Sequence, residues 1–282
     1  MNSFSPEKSE LGKKSEYSAT YDPSKLFPVP RQLKRNDIDV KENQLPFYGF
    51  DIWNHYEVSW LNEQGKPMVA LAELIIPCDT PNIIESKSMK LYFNSFNNTA
   101  VKDVKSLEII VKKDLSERVG GEVLVKIIAL HQVGDGKFYE CMGGTCLDEL
   151  DIRCSVYTVD TSLLQTEDAH VEETLCSNLL KANCLVTGQP DWGSLQIAYK
   201  GKKINHENLL RYIISFRNHT EFAEHCVERI FTDIQRHCQP DELSVYARFT
   251  RRGGLDINPY RSSKNEGSLD IGGDINQRLS RQ

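Results

Sequence analysis

The stretch NCLVTGQPDWGS, residues 183–194, predicts the turn of a β-hairpin that organises the second half of the chain. The segment GQPD at 188–191 is typical of a turn, because Gly, Pro and Asp each favour the backbone angles of a tight reversal. Apolar residues alternate with polar ones over 195–199, as in a half-buried strand. The hairpin therefore brings Cys184, at the end of one strand, close to Asp191, at the start of the next.

The pair formed by Cys184 and Asp191 can act as a nucleophile and a proton donor. Thiolate attack followed by proton delivery is the chemistry that an electrophilic carbon–nitrogen multiple bond requires. Residue types alone also fit a plainer interpretation. In it, Cys184 is a small buried residue and Asp191 hydrogen-bonds the backbone of its own turn.

Composition limits the class of protein. The chain has 282 residues, of which 39% are hydrophobic and 26% charged, so it is globular and long enough for two domains. Its net charge of −6 argues against nonspecific binding to nucleic acid, and no apolar run approaches the ~20 residues of a membrane span. The first 21 residues lack the apolar core of a signal peptide. We therefore expect a cytoplasmic protein without a direct nucleic-acid or membrane partner.

The eight cysteines lack the spacing of a metal site. No Cys-x-x-Cys occurs, and the closest pair is not followed by a second pair with ligand spacing. In a chain without an export signal, scattered cysteines are expected to be reduced thiols. The sequence therefore predicts free thiols and no bound metal.

The two halves of the chain share one order of predicted elements. Ser95-Phe96 matches Ser215-Phe216, and Glu122-Val123 matches Glu242-Leu243, both at a shift of 120 positions (95 to 215, 122 to 242). A constant shift between two helix-to-strand units indicates internal duplication. In the first half we predict a hairpin over 56–61 and 68–76, helices over 86–96 and 104–115, and a strand over 123–130. In the second half we predict the 183–194 hairpin, helices over 207–216 and 221–235, and a strand over 243–250.

These elements divide the chain into segments. They are an N-terminal arm (1–44), a first unit (45–131), a linker or insertion (132–174), a second unit with the cysteine (175–262) and a polar tail (263–282). The best-marked element is the 221–235 helix, because apolar residues recur every four positions from 222 to 234. Thr220 is the predicted N-cap of that helix.

Two further stretches suggest binding of an anion or a base. In TRRGGLDINP, at 250–259, two arginines precede two glycines just beyond a strand, so guanidinium forks and backbone N–H groups can meet a phosphate. In IIESKSMK, at 83–90, a helix begins, and its free N–H groups favour an anion. Residue types alone fit a solvated strand end and an ordinary helix start equally well. No Gly-x-Gly-x-x-Gly follows a strand, which argues against a Rossmann domain.

These stretches, within a region from roughly Leu11 to Ser262, resemble the nitrile reductases that convert 7-cyano-7-deazaguanine to 7-aminomethyl-7-deazaguanine with NADPH for tRNA queuosine. The resemblance implies an α+β fold of two tandem tunnelling-fold units (β-β-α-α-β-β), with antiparallel sheets and helices on one face. Ligands of that fold bind at unit interfaces, so the resemblance also implies a homodimer.

The resemblance also assigns roles to residues. The catalytic residues are Cys184 and Asp191; the substrate contacts are Ile84, Glu85, Ser86 and Glu224; the NADPH contacts are Ser86, Lys87, Arg252 and Gly253. The family pattern has a histidine directly before the glutamate, whereas this chain has Ala223 there and His225 after it. Residues two apart point about 200° away from each other on a helix, so His225 cannot simply replace the missing side chain.

The predicted function is reduction of a 7-deazaguanine nitrile by two NADPH through a thioimide on Cys184. Burial beside Trp192 should raise the pKa of Asp191 and so help it to carry a proton. Two other classes remain open. One is a metal-dependent hydrolase of pterin or purine rings with the same fold, and the other is a noncatalytic dimer that binds a purine-like ligand.

Overall fold

The structure, a computed structural model, describes residues 20–42, 44–133, 142–185, 187–265 and 275–282. Its strands are β1 Pro28–Pro30, β2 Tyr48–Leu61, β3 Pro67–Pro77, β4 Asn82–Ile84, β5 Leu124–Ala129, β6 Thr145–Cys146, β7 Thr166–Asn183, β8 Pro190–Ile204, β9 Glu242–Phe249 and β10 Leu255–Ser262. Its α-helices are α1 Gln32–Arg35, α2 Ser86–Asn94, α3 Val104–Val119, α4 His206–Ser215 and α5 Ala223–Cys238.

One large sheet runs through both halves of the described chain. Its strand order is β5-β3-β2-β10-β9-β8-β7-β6, and β1 pairs with β4 in a separate two-stranded sheet. Neighbours in the large sheet run antiparallel except β6 and β7, which are parallel. The protein is therefore an α+β protein with a largely antiparallel sheet, as predicted. The halves join where β2 pairs with β10, from Tyr48 opposite Ser262 to His55 opposite Leu255.

Both predicted hairpins are present, and their strands are longer than the sequence pattern indicates. Asn62 closes the β2–β3 turn, because its Oδ1 accepts hydrogen bonds from the backbone N–H groups of Gln64 and Lys66. β7 and β8 pair as far as Asn183 and Pro190, on either side of the loop that carries Cys184. Pairing with neighbouring strands extends each strand beyond the stretch in which apolar and polar residues alternate. Strand formation depends on the residues of the paired strands as well as on local sequence.

The helices cover one face of the sheet with apolar side chains. Val245 of β9 shares a core with Cys226 and Ile230 of α5, and all three are fully buried. The apolar stripe predicted for α5 is thus confirmed. Tyr246, the next residue of β9, lies on the opposite face and packs with Leu279. α2 and α3 cover β2 and β3 through a second apolar core.

The predicted N-cap of α5 is wrong. α5 begins at Ala223 with Phe222 in the N-cap position, and no side chain caps it. Thr220 instead forms a β-bridge with Asn183, next to Cys184. The segment before α5 therefore follows β7 rather than turning directly into the helix, and this pairing is not visible in a local capping pattern.

Two segment boundaries also differ from the prediction. β7 begins at Thr166, inside the predicted 132–174 linker, because it extends along β8 as far as Ile204. The predicted polar tail packs against the sheet in its last eight residues, 275–282, where Leu279 and Gln282 are buried. Parts of the predicted arm, linker and tail (1–19, 43, 134–141 and 266–274) lie outside the described residues.

Candidate active site

A cleft opens between α5, the β7–β8 loop and the β9–β10 turn. Its lining consists of Ile84, Ser86, Cys184, Asp191, Phe222, Ala223, Glu224, Phe249, Thr250, Arg252, Leu255 and Ile257. The structure therefore brings together both predicted catalytic residues, three of the four predicted substrate contacts and two of the predicted NADPH contacts.

The cleft is built from both halves of the chain. Ile84 and Ser86 come from the first half, at the end of β4 and the start of α2, whereas the other lining residues belong to the second half. The β2–β10 pairing joins the halves in one sheet and so places the two sets of residues around one space.

Cys184 lies at the end of β7 in a short closed loop. Its backbone N–H donates to the Gln189 carbonyl at 2.8 Å, and the Gly188 N–H donates to the Cys184 carbonyl at 3.0 Å. Gly188 has a φ of +66°, a left-handed conformation that glycine adopts without steric cost. Cys184 is 7% exposed and lines the cleft.

Asp191 also lines the cleft and forms an ion pair with Arg252. Arg252 Nη1 donates to Asp191 Oδ1 at 2.8 Å, and Arg252 Nη2 donates to Thr187 Oγ1 at 2.8 Å and to the Gln189 side chain. Burial raises the pKa of Asp191, and the positive charge of Arg252 partly opposes this effect. The direction of this pKa shift matches the expectation from the sequence. The contact between Asp191 and Arg252 was not predicted.

Glu224 is the buried carboxyl group of the cleft. It occupies the first turn of α5, is 2% exposed, and its Oε1 has no hydrogen-bond partner among the described residues. Burial, reinforced by the negative charge of Asp51, raises the pKa of Glu224 to about 8, although Arg31 and Arg261 oppose the shift. A buried polar atom without a partner is rare in native proteins, so this oxygen is well placed to bind a donor group of a ligand.

A buried ionic network lies behind Glu224, one turn further along α5. Glu228 accepts hydrogen bonds from Arg35 Nη2 at 2.7 Å and Arg261 Nη2 at 2.8 Å, and Asp51 pairs with Arg31 at 2.6 Å and with Arg261 at 2.9 Å. Despite burial, Arg261 and Arg35 hold the pKa of Glu228 far below its usual range. Loss of one partner would leave a buried charge unpaired, at a cost of about 3–5 kcal/mol. The network ties the arm, β2, β10 and α5 together beneath the cleft.

His225 does not take the place of the family histidine. α5 is a regular helix from Ala223, and Ala223 and Glu224 line the cleft whereas His225 does not. His225 is 2% exposed, and neither ring nitrogen has a hydrogen-bond partner among the described residues. Burial lowers the pKa of His225 to about 4. It is therefore a neutral core residue at neutral pH.

The start of α2, which the sequence predicts as an anion site, is capped by a side chain of this protein. Glu85 is the N-cap, and its carboxylate accepts hydrogen bonds from the backbone N–H groups of Lys87 and Ser88. Glu85 is buried and is not among the residues that line the cleft, unlike Ser86. Gly253 approaches the same helix closely, since a Cβ there would lie 3.3 Å from Lys90 Cδ.

Sequence reasoning missed the apolar part of the lining. Phe249 of β9 and Leu255 and Ile257 of β10 form this surface, with Phe222 at the start of α5. The alternation of Leu255 and Ile257 with polar residues could have identified one face of β10. Among the described residues, no group of three or more His, Cys, Asp or Glu side chains is arranged to hold a metal ion. No helix in the described ranges is long and apolar enough to cross a membrane.

Comparison with known proteins identifies the family. A family model described as nitrile reductase, 7-cyano-7-deazaguanine-reductase N-term, matches residues 17–127, and one described as QueF-like protein matches residues 190–268. The chain is 58% identical over 256 residues to a protein of Legionella pneumophila (strain Lens), covering 91% of this chain and 90% of that protein. It is 58% identical over 263 residues to a protein of Cupriavidus metallidurans, covering 92% and 95% of the two chains. It is 55% identical over 280 residues to a protein of Cupriavidus necator, covering 98% and 99%. Each of the three is named NADPH-dependent 7-cyano-7-deazaguanine reductase, and the chain therefore belongs to the 7-cyano-7-deazaguanine reductase family of nitrile reductases.

Proposed function

We propose that this protein reduces 7-cyano-7-deazaguanine to 7-aminomethyl-7-deazaguanine with two NADPH, as a step in queuosine biosynthesis. Cys184 is the nucleophile and Asp191 the proton carrier. One observation carries the proposal: Cys184, Asp191 with its raised pKa and Glu224, whose Oε1 has no partner within the described part of the chain, line one cleft. The names of relatives that match more than nine-tenths of the chain support the same reaction.

Covalent addition makes the nitrile a better hydride acceptor. Cys184 Sγ bonds to the nitrile carbon, one π bond of the C≡N group breaks, and the thiol proton passes through Asp191 to the nitrogen, which gives a thioimide. When bound, NADPH supplies a hydride at each of two later steps. Asp191 then protonates the nitrogen, the C–S bond breaks, and Cys184 recovers its proton as the imine forms. Two hydrides and two further protons are consumed for each primary amine formed.

Glu224 and residues from the first half of the chain orient the substrate. The Glu224 carboxylate can accept hydrogen bonds from the ring N–H and amino groups of the deazaguanine, which are donors of complementary chemistry. Phe249 and Leu255 offer an apolar surface to the flat ring, and Ile84 and Ser86 contribute to the same cleft from the first half of the chain. Glu85, which caps α2, acts on the substrate side by fixing this helix start.

The residues present fit a phosphate-bearing cofactor. Arg252 uses three of its five N–H groups on described residues, which leaves two for an anionic group. Gly253 has a φ of +61° and packs beside Lys90, so the β9–β10 turn with Arg252 lies next to a helix that carries cationic side chains. Ser86, Lys87, Arg252 and Gly253 would hold NADPH.

We further propose that the chain contains two tandem tunnelling-fold units and acts as a homodimer in the cytoplasm. The repeated order of hairpin, two helices and strand supports the two units, with the second starting at Thr166. β5 is an edge strand, and Leu124 and the neighbouring Val69 and Leu130 are exposed there. Such an edge favours pairing with another chain. The cysteines described are free thiols, as in a reducing compartment. Light scattering during gel filtration would test the dimer.

A reaction with the nitrile base tests the enzymatic proposal. The protein is mixed with 7-cyano-7-deazaguanine and its intact mass is measured, and NADPH is then added while its absorbance is followed. We expect a mass increase equal to the whole nitrile base, followed by oxidation of two NADPH for each amine formed. Cys184→Ala should give neither signal, whereas Cys238→Ala, a buried cysteine at the end of α5, is the matched control. Metal-dependent ring hydrolysis, or binding without adduct and NADPH oxidation, would contradict the proposal.

A further inference from the structure

The large sheet is split between β9 and β10, directly behind the cleft. These strands pair over only three residues, 244–246 with 260–262, and beyond them β10 pairs with β2 alone. Pro259 lies at the start of the split and has no N–H group to offer. Phe249 and Leu255, on the two sides of the split, line the cleft. The strands that flank Arg252 are therefore joined by little backbone hydrogen bonding of their own.

Gln282 fills this split from the face opposite the helices. Its Nε2 donates to the Phe249 carbonyl at 3.0 Å and to Asn258 Oδ1 at 2.8 Å, so one amide group bridges β9 and β10. Its Oε1 accepts from Arg248 Nε at 2.6 Å, and its backbone carbonyl accepts from Arg251 Nη2 at 3.2 Å. Gln282 is 5% exposed. A buried, fully engaged amide of this kind leaves several polar groups unpaired when it is removed.

The segment that carries Gln282 also contacts the strand of Asp191. Arg281 Nη2 donates to the Gly193 carbonyl at 2.8 Å and to Ser194 Oγ at 3.2 Å, two and three residues after Asp191. At the other end of the segment, Asn276 Nδ2 donates to Asn54 Oδ1 on β2 at 2.9 Å. Residues 275–282 thus span the back of the sheet from β2 to β8.

We propose that residues 275–282 form a clamp that positions Arg252 and Asp191 for the reaction, with Gln282 as the positioning residue for the β9–β10 turn. This inference rests on the proposed role of Arg252 in NADPH binding. The clamp replaces the missing hydrogen bonds between β9 and β10, so the turn keeps the orientation in which Arg252 reaches both the β7–β8 loop and the cofactor. Arg281 holds β8 at Gly193 and Ser194 and so fixes the position of Asp191 near the start of the same strand.

The two contacts predict different effects. Gln282→Ala should weaken NADPH binding about tenfold, because the turn with Arg252 loses its support. Arg281→Ala should mainly shift the pH profile of thioimide formation, because it acts on the strand of Asp191. Gln277→Ala is the matched control, since Gln277 lies in the same segment and makes no hydrogen bond to the described residues.

A double-mutant cycle tests whether Gln282 acts through Arg252. NADPH affinity is measured by fluorescence titration, without nitrile, for the wild type, Gln282→Ala, Arg252→Ala and the double variant. We expect the double variant to bind no more weakly than Arg252→Ala alone, because a positioning residue has no effect once the residue it positions is gone. If Gln282→Ala does not fold, Gln282→Glu takes its place. It keeps the volume and the contact with Arg248 but cannot donate to the Phe249 carbonyl.

The outcomes separate the clamp from the proposed function. Additive losses in the cycle, or NADPH binding by Gln282→Ala equal to that of Gln277→Ala, would overturn the clamp while leaving the reductase intact. Unchanged NADPH affinity in Arg252→Ala would instead refute the cofactor role of Arg252. In that case the clamp is tested by thioimide formation alone. The pH profile of thioimide formation in Arg281→Ala must differ from that in Gln277→Ala, and identical profiles would overturn the clamp.

Discussion

Replacing Glu224 by glutamine should change how the stability of the protein depends on pH. Burial and the nearby Asp51 raise the pKa of Glu224 from 4.5 to about 8, so its carboxyl group is largely protonated in the free enzyme at neutral pH. The folded pKa is higher than the unfolded one. The contribution of Glu224 to the free energy of unfolding is therefore fully present below about pH 4.5. It is lost as the pH rises through about 8. Glutamine does not titrate, so Glu224→Gln should not show this loss.

The size of the effect follows from the shift. Each pH unit within the window changes the free energy of unfolding by at most about 1.4 kcal/mol for one group. Between about pH 5 and about pH 7.5 the wild type should therefore lose up to about 3 kcal/mol relative to Glu224→Gln. Movement of Arg31 and Arg261 toward the ionised Glu224 carboxylate will reduce this loss of stability. Both guanidinium groups lower the pKa of Glu224 even without such movement.

Urea denaturation of both proteins across this pH range measures the difference. Glu207→Gln, at an exposed position of α4, is the matched control and should follow the wild type. A difference in unfolding free energy between wild type and Glu224→Gln that stays constant with pH would refute the reasoning. The same titration should govern ligand binding. Calorimetry on Cys184→Ala, in buffers of different ionisation enthalpy, should detect proton release as the carboxylate accepts the N–H groups of the base.

Four further substitutions test the cleft and the helix beside it. Asp191→Asn should keep some thioimide formation but stall reduction, as seen by intact mass and NADPH absorbance; complete loss of adduct would mean that Asp191 has a role in activating the thiol. Arg252→Ala removes a positive charge that lowers the pKa of Asp191, so the acid required for turnover should persist to higher pH; an unmoved pH–rate profile would contradict this coupling. Ala223→His adds a ring beside Glu224 and should tighten binding of the nitrile base in a direct titration, whereas His225→Ala should cost about 1–3 kcal/mol of stability with little change in base affinity. A large loss of base affinity in His225→Ala would contradict its assignment to the core.

Local sequence patterns were sufficient to predict the individual elements. The turn at 188–191, the four-residue spacing from 222 to 234 and the start of α2 at Ser86 each depend on neighbours in the chain, so they could be recognised without a structure. The cleft itself was reached only by resemblance to a family. Residue types alone leave Cys184 undecided between a reactive thiol and a core residue.

The contacts between Arg252 and Asp191 show what local patterns miss. The two residues are 61 positions apart, and each was assigned a separate role, one in cofactor binding and one in proton transfer. Their pairing depends on the register of β8 against β9, which places the β7–β8 loop beside the β9–β10 turn. A sequence specifies such a register through the summed packing of many side chains, so no single motif reports it.

The sequence by itself determined the main helices and strands, the hairpin with Cys184 and Asp191, and the amphipathic face of α5, because these follow from backbone preference and periodicity over a few residues. The class of fold was implied by the family resemblance. Only the tertiary structure decided which groups share a cleft and which charges are buried together. The raised pKa of Glu224 requires the burial and the network of Asp51, Arg31 and Arg261, drawn from distant segments. The docking of 275–282 likewise depends on a split in the sheet that exists only once β9 and β10 have diverged. Long-range packing and the loss of solvent around charged groups set these features, and neither is encoded within a short stretch of chain.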